Sequence, residues 1–158
     1  MGVQLILAGQ QHKATISNLL QLYMYDFSEY TKADVEDAGL YAPYPYVEHY
    51  WQGDATRFAY LIKYNEAVAG FVFVWFKEEG QHFSIAEFFI VRKYRRMGIG
   101  KTIAMQVFAL HKGAWQVHQM LSNKPAQLFW RKVIDEYTHG LFSEKVDGAR
   151  VVQEFESV

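Results

Sequence analysis

Val91-Arg92-Lys93-Tyr94-Arg95-Arg96-Met97-Gly98-Ile99-Gly100-Lys101-Thr102 joins a buried-looking apolar run, Glu87-Phe88-Phe89-Ile90-Val91, to an amphipathic one that starts at Gly98. In the downstream segment Ile99, Ile103, Val107 and Leu110 recur at helical spacing, so the stretch reads as strand, tight turn, helix N-terminus. The first amides of a helix have no intrahelical acceptor, and the helix dipole favours an anion beside them. Gly98 and Gly100 let the backbone approach that anion closely. Arg92, Lys93, Arg95, Arg96 and Lys101 add positive charge with no acid among them. The segment therefore reads as a cradle for a phosphate or pyrophosphate.

Spacing selects among the known cradles. Gly100-Lys101-Thr102 imitates the end of a P-loop, but Arg95 occupies the position of its first glycine. Gly98-x-Gly100 imitates a dinucleotide fingerprint, but Ile103 stands where its third glycine belongs. What remains is Arg95-x-x-Gly98-x-Gly100 following a strand.

Outward from the loop the chain alternates between two periods. Val3–Ala8 suits a first strand, and Ile16, Leu19, Leu20, Tyr23 and Phe27 set a helix over Lys13–Tyr30. Thr31–Pro45 is polar and punctuated by Gly and Pro, hence a long loop, and Pro45 is expected to open a short second helix through Trp51. Arg57–Lys63 and Ala67–Phe76 are β-branched and aromatic around a Tyr64-Asn65-Glu66 turn, and Gln81–Val91 is a third such run. After the helix over Gly98–Lys112, which Gly113 should stop, come a strand (Trp115–Leu121), a helix (Pro125–Tyr137) and a final strand pair around Asp147-Gly148. The expected fold class is α/β (α+β): a mixed central sheet of about seven strands with about four helices, in a single domain over 1–158.

Tyr94-Arg95-Arg96-Met97-Gly98-Ile99-Gly100 resembles the coenzyme-A pyrophosphate loop of the GNAT N-acetyltransferase superfamily, Arg/Gln-x-x-Gly-x-Gly/Ala, and the element order is similar over nearly the whole chain. Ser122-Asn123-Lys124-Pro125-Ala126 with Leu128-Phe129-Trp130 looks like that family's second coenzyme-A segment. The resemblance implies acetyl-CoA as co-substrate and acetyl transfer to a primary amine. It implies cofactor contacts from Phe89, Ile90 and Val91 on the strand, from Arg95, Arg96, Met97, Gly98, Ile99, Gly100, Lys101 and Thr102 in the loop, and from Asn123 and Trp130. A backbone N–H near Ile90 or Val91 would hold the oxyanion. Tyr25, Glu29 and Tyr30 are expected on the substrate side, and a homodimer is a further expectation.

Glu87 is the candidate base. An ionisable group in the apolar run Ile85-Ala86-Glu87-Phe88-Phe89 is costly unless paired or functional, and period-two counting puts it on the face of Val91. The late-helix tyrosine that serves many family members as general acid is replaced here by Trp130, which donates no titratable proton; water is left to protonate the thiolate. A non-catalytic acyl-CoA-binding or sensor domain is the alternative reading.

Composition trims the rest. Of 158 residues 16 are Lys or Arg and 17 Asp or Glu, and the formal charge of −1 argues against a nucleic-acid footprint over the whole surface. The absence of cysteine removes thiolate metal sites and a cysteinyl acyl-enzyme. The histidines show no metal-ligand spacing, and no metal is expected. Asp26, Glu29, Asp34, Glu36, Asp37, Glu48 and Asp54 face only Lys32 in their segment and are interleaved with tyrosines, a setting for a cationic substrate. Met1–Ile6 lacks a signal-peptide pattern, and no run approaches the roughly 20 apolar residues of a membrane span; the expectation is a cytoplasmic protein with no membrane partner.

Overall fold

A computed structural model describes residues 2–158. Seven strands form one sheet in the order β1-β2-β3-β4-β5-β7-β6. They are β1 (Val3–Leu7), β2 (Arg57–Tyr64), β3 (Ala67–Lys77), β4 (His82–Ile90), β5 (Gly113–Met120), β6 (Phe142–Asp147) and β7 (Arg150–Ser157). Three α-helices pack on it: α1 (Lys13–Thr31), α2 (Ile99–Leu110) and α3 (Lys124–Thr138).

Alternation along the strands builds a core on each face. Phe71, Phe73 and Phe89 point to α1 and meet Ile16, Leu19 and Leu20. Val72, Val74, Ile85 and Trp115 point to the opposite face and meet Ile103, Val107 and Phe108 of α2 and Val133 and Ile134 of α3. Phe71, Phe73, Phe108 and Trp115 are almost wholly buried, each contributing on the order of 2–3 kcal/mol of transfer free energy.

The expected fourth helix is absent. Pro45–Trp51 instead contains a short 3-10 turn, Val47–Tyr50, closed by bonds from His49 N to the Tyr46 carbonyl and from Trp51 N to the Glu48 carbonyl. So short a segment cannot repay α-helical nucleation, and its shape is set by Tyr50 stacking on Phe73 with ring centroids 3.9 Å apart. The β2–β3 hairpin turns through Asn65 (φ 48°) and Glu66 (φ 70°), the paired left-handed residues that match strand twist. Gly113 is not a helix stop but the first residue of β5, in a left-handed conformation (φ 128°).

Two irregularities in β4 position the site. β4 pairs with β5, in parallel, only at Phe83–Trp115 and Ser84–Gln116; from there to the C-terminal end of β4 the strands diverge. A bulge interrupts its other edge, where Phe73 faces Glu87 but Val74 faces Ile85. The extra residue, Ala86, joins the α1-side core with Phe89, so the bulge turns Glu87 toward α1.

Candidate active site

Glu87 accepts a hydrogen bond from the Tyr23 hydroxyl on Oε1 and another from the Tyr44 hydroxyl on Oε2, both at 2.7 Å. Tyr23 comes from the middle of α1, one turn beyond Leu19 and Leu20 on the same helix face; Tyr44 comes from the loop after α1. Burial pushes the Glu87 carboxyl above its usual range, against the two phenolic hydrogen bonds, which favour the ionised form. Burial and the Glu87 charge push both tyrosines above theirs, so they stay protonated donors. The result is a desolvated carboxyl group held in one orientation, its proton affinity raised by burial, as a proton acceptor requires.

On the adjoining loop, Arg96 (φ 61°) and Gly98 (φ 79°) both adopt left-handed backbone. The loop's inner hydrogen bonds run from Tyr94 N to the Val91 carbonyl, from Arg95 N to the Arg92 carbonyl and from Thr102 N to the Gly98 carbonyl. The amides from Arg96 to Lys101 donate to no protein group among the described residues, and a Cβ at Gly98 would meet nothing within 4 Å. A row of free amides at the α2 N-terminus, beside open space, fits a polyanion. Ile99 roots the row: its side chain is buried in the core between sheet and helices while its amide stays free. Met97 is largely exposed.

The strand contribution is narrower than expected. Val91 N donates to the Ala69 carbonyl at 2.8 Å, and Phe89 sits opposite Phe71 two residues back in the same register. Antiparallel pairs alternate in bonding, so the amides of Phe89 and Val91 face β3 while those of Phe88 and Ile90 face the gap where β5 has diverged. Of the two oxyanion donors considered, Ile90 N–H is therefore the one free to act, and Phe88 replaces its neighbours as a partner for an extended amide chain.

Two loop residues are also placed differently. The Arg95 guanidinium binds the Ile90 carbonyl (2.8 Å) and the Asp26 carboxylate (2.7 Å) rather than facing the free amides, and Thr102 is occupied by Gly98 through both its amide and its hydroxyl. Asp26 also holds Arg92 at 3.0 Å. Burial alone would raise the Asp26 pKa, but the hydrogen bonds from Arg95 and Arg92 outweigh it and hold the carboxyl below its usual range. Asp26 thus belongs to the basic loop, not to a substrate patch, and it locks α1 onto the loop. Lys101 is paired with Glu136 of α3 at 2.6 Å.

Across the gap, Asn123 caps α3, its Oδ1 accepting from Ala126 N at 3.2 Å, and Pro125 sits in the first turn. Trp130 is 7% exposed and meets Phe88 edge-on at 4.9 Å, walling the gap from the α3 side. The Tyr137 hydroxyl bonds Ser157 Oγ and is part of the core. Among the expected substrate residues, Tyr30 continues the Tyr23–Phe27 face of α1, whereas Tyr25 (65% exposed) and Glu29 point to solvent. Tyr23 and Tyr44 take the place beside Glu87; their signal in the sequence was tyrosine enrichment without a spacing to single them out. Among the described residues no His, Cys, Asp and Glu group could hold a metal ion, and no helix is long and apolar enough to cross a membrane.

A family model described as Acetyltransferase (GNAT) family matches residues 18–134. Among solved structures, a PaiA N-acetyltransferase from Thermoplasma acidophilum, in complex with coenzyme A, superposes with TM-score 0.68 at 11% identity over 99% of both chains. An acetyltransferase from Thermus thermophilus gives TM-score 0.70 at 13% identity over 99% of this chain and 97% of that one. A GNAT-family acetyltransferase from Staphylococcus aureus gives 0.67 at 13% over 99% of both. At such identities the likeness is one of fold. No curated protein matches the chain in sequence.

Proposed function

The chain belongs to the GNAT family of acetyltransferases, and from that premise we propose that Glu87 takes the proton of a primary amine as it attacks the thioester of acetyl-CoA directly. The enzyme is an acetyl-CoA-dependent acyltransferase; the residues carrying each role are our reading. The carrying observation is Glu87 itself, a desolvated carboxylate clamped by Tyr23 and Tyr44 on the strand whose Ile90 amide faces the opened gap.

The residues present suit the co-substrate. Free amides from Arg96 to Lys101, with exposed Arg96 nearby, match a pyrophosphate. The outward backbone groups of Phe88 and Ile90, against the wall of Phe129, Trp130 and Asn123, match an amide-bearing arm. The acetyl carbonyl then lies by Ile90 N–H, which stabilises the developing oxyanion. Asp26 keeps Arg95 on the Ile90 carbonyl and so holds that peptide in place. An amine enters protonated from the α1 side, gives one proton to Glu87 directly or through Tyr44, and attacks; as the tetrahedral intermediate collapses and the C–S bond breaks, the second proton of the nitrogen passes through water to the departing thiolate, since Trp130 supplies no acid. A cationic acceptor is supported by Asp34, Glu36 and Asp37, exposed in the loop after α1, which attract positive charge.

Mass spectrometry of an amine library incubated with the protein and acetyl-CoA tests this. A product heavier by one acetyl group, lost in Glu87→Gln, is the expected result. Acetyl-CoA binding with no product from any amine, and no effect of Glu87→Gln on the bound complex, would identify a binding domain instead.

A further inference from the structure

Arg57, at the start of β2, is a largely buried cation whose Nε has no hydrogen-bond partner. Its side chain is only 9% exposed, and the nearest carboxylate, Asp54, stands 4.0 Å from Nε. Asp54 accepts from the amide (2.8 Å) and hydroxyl (2.6 Å) of Thr56 on Oδ1, and its other oxygen, Oδ2, is the one that stays beyond hydrogen-bond reach of Arg57. The buried Arg57 Nε has no hydrogen-bond partner, and neither has the buried hydroxyl of Tyr50. Burial pushes the Tyr50 hydroxyl up to about 12, against the Arg57 guanidinium beside it, whose side-chain contact and charge both pull it down. Leaving a buried guanidinium nitrogen and a buried hydroxyl without partners is expensive, and native proteins seldom leave such groups unmatched.

The surroundings fix its orientation. Trp75 covers the guanidinium with its ring centroid 3.8 Å from Cζ, and the Tyr46 and Tyr50 rings lie at 5.7 and 5.6 Å. Stacking on Trp75 leaves the in-plane N–H fork open, the geometry that receives a planar, two-oxygen anion. Ser84 follows Trp75 in the same cross-strand row, and its buried hydroxyl is likewise unpartnered. Arg57 and Ser84 therefore flank Trp75 with unpartnered buried atoms, and Tyr50 adds a third beside Arg57.

This box adjoins the proton acceptor. Tyr50 stacks on Phe73, which lies directly opposite Glu87, and the Tyr44 ring packs on the same Phe73 at 5.7 Å. From strand spacing and rise, the Glu87 and Arg57 backbones are roughly 12 Å apart, and both side chains lean over the aromatic strip between them. We propose that the acceptor carries a carboxylate as well as its amine, an amino-acid-like substrate whose acid group is received by the Arg57 fork and the Tyr50 hydroxyl while its amine is presented to Glu87. This rests on the reading of Glu87 as the proton acceptor, and it narrows the substrate from amines in general to zwitterions.

Two measurements test it. In the first, α- and ω-amino acids are compared with their own carboxamides as acceptors. The acid should exceed the amide in kcat/KM by about tenfold or more, chiefly through KM. Arg57→Lys, checked for folding by its melting curve, should retain part of that preference and Arg57→Gln none; wild-type enzyme that acetylates amides as well as acids overturns the proposal. In the second, the Arg57 Nε–Hε NMR signal of wild-type protein, assigned by its loss in Arg57→Lys, is titrated with 4-acetamidobutyrate, its carboxamide and inorganic phosphate. A saturable shift with the carboxylate alone supports the site even if no amine in the first assay is acetylated, which would count against the catalytic reading only. No shift, an equal shift with the amide, or preference for phosphate overturns it.

Discussion

Glu87, the proposed proton acceptor, sits in an environment that yields a test separating catalysis from structure. Its folded-state pKa is raised by burial, so the folded protein binds the proton more tightly than the unfolded chain. Stability then falls as pH rises through the interval between the unfolded value, about 4.3, and the raised folded one, and the loss persists at neutral pH. Glu87→Gln keeps the shape and removes the charge; one phenol still donates to the amide oxygen, and the other must turn to accept from the amide nitrogen. The expected outcome is kcat lowered by about 10²-fold or more, together with a melting temperature at pH 7 equal to or above wild type, the gain vanishing below about pH 4. A structurally paired glutamate would lose stability instead. Tyr44→Phe removes a hydrogen bond that favours the carboxylate, so the acidic limb of the kcat/KM profile should move to higher pH. Periodicity could nominate Glu87 as an anomaly in an apolar strand; it could not find Tyr23, Tyr44 or Arg57, because their partners lie far away in sequence and meet only across the α1–sheet interface.

At the scale of elements, the loop between β4 and α2 has its amides left unused, and its supports come from two other elements, α1 and α3. Asp26 of α1 holds Arg92 and Arg95, Glu136 of α3 holds Lys101, and the Phe129 ring would lie 3.2 Å from a Cβ at Gly100. Gly98 differs: it has open space but a left-handed backbone. Any side chain there costs about 1–2 kcal/mol of backbone strain, whereas only an acidic one places negative charge where an anion must bind. Calorimetry should therefore find coenzyme-A binding retained in Gly98→Ala, at some cost in melting temperature, and abolished in Gly98→Glu. Equal affinity in wild type and Gly98→Glu would remove the loop from the binding site. The loop was the most legible element because its signal is local, with glycine spacing, helix start and charge all within a dozen positions. The pairing of its charges was not legible, since counting the loop as basic and the α1 end as acidic misses that Asp26 neutralises the former.

For the whole molecule, the decisive feature is a sheet zipped along most of its width and open between β4 and β5 beyond Ser84 and Gln116. Two cores, one under α1 and one under α2 and α3, hold the strands rigid on either side of the opening. Coenzyme A should act as a missing pairing partner there. Hydrogen exchange should slow at Phe88, Ile90 and Arg96–Lys101 when it is added and change little at Phe89 and Val91, whose amides already face β3. Uniform protection of all of these, or none, would contradict the placement. The sequence alone determined the strands and the three long helices, the glycine turn suited to an anion and the oddity of Glu87, because each is written in short-range periodicity or in the backbone demands of glycine. Only the tertiary structure decided that Pro45–Trp51 is not an α-helix, that Phe88 and Ile90 rather than Phe89 and Val91 face the gap, and that the buried Arg57 Nε is left without a hydrogen-bond partner. These depend on register, a bulge and burial, and they arise when segments distant in the chain compete for the same hydrogen bonds and the same apolar space.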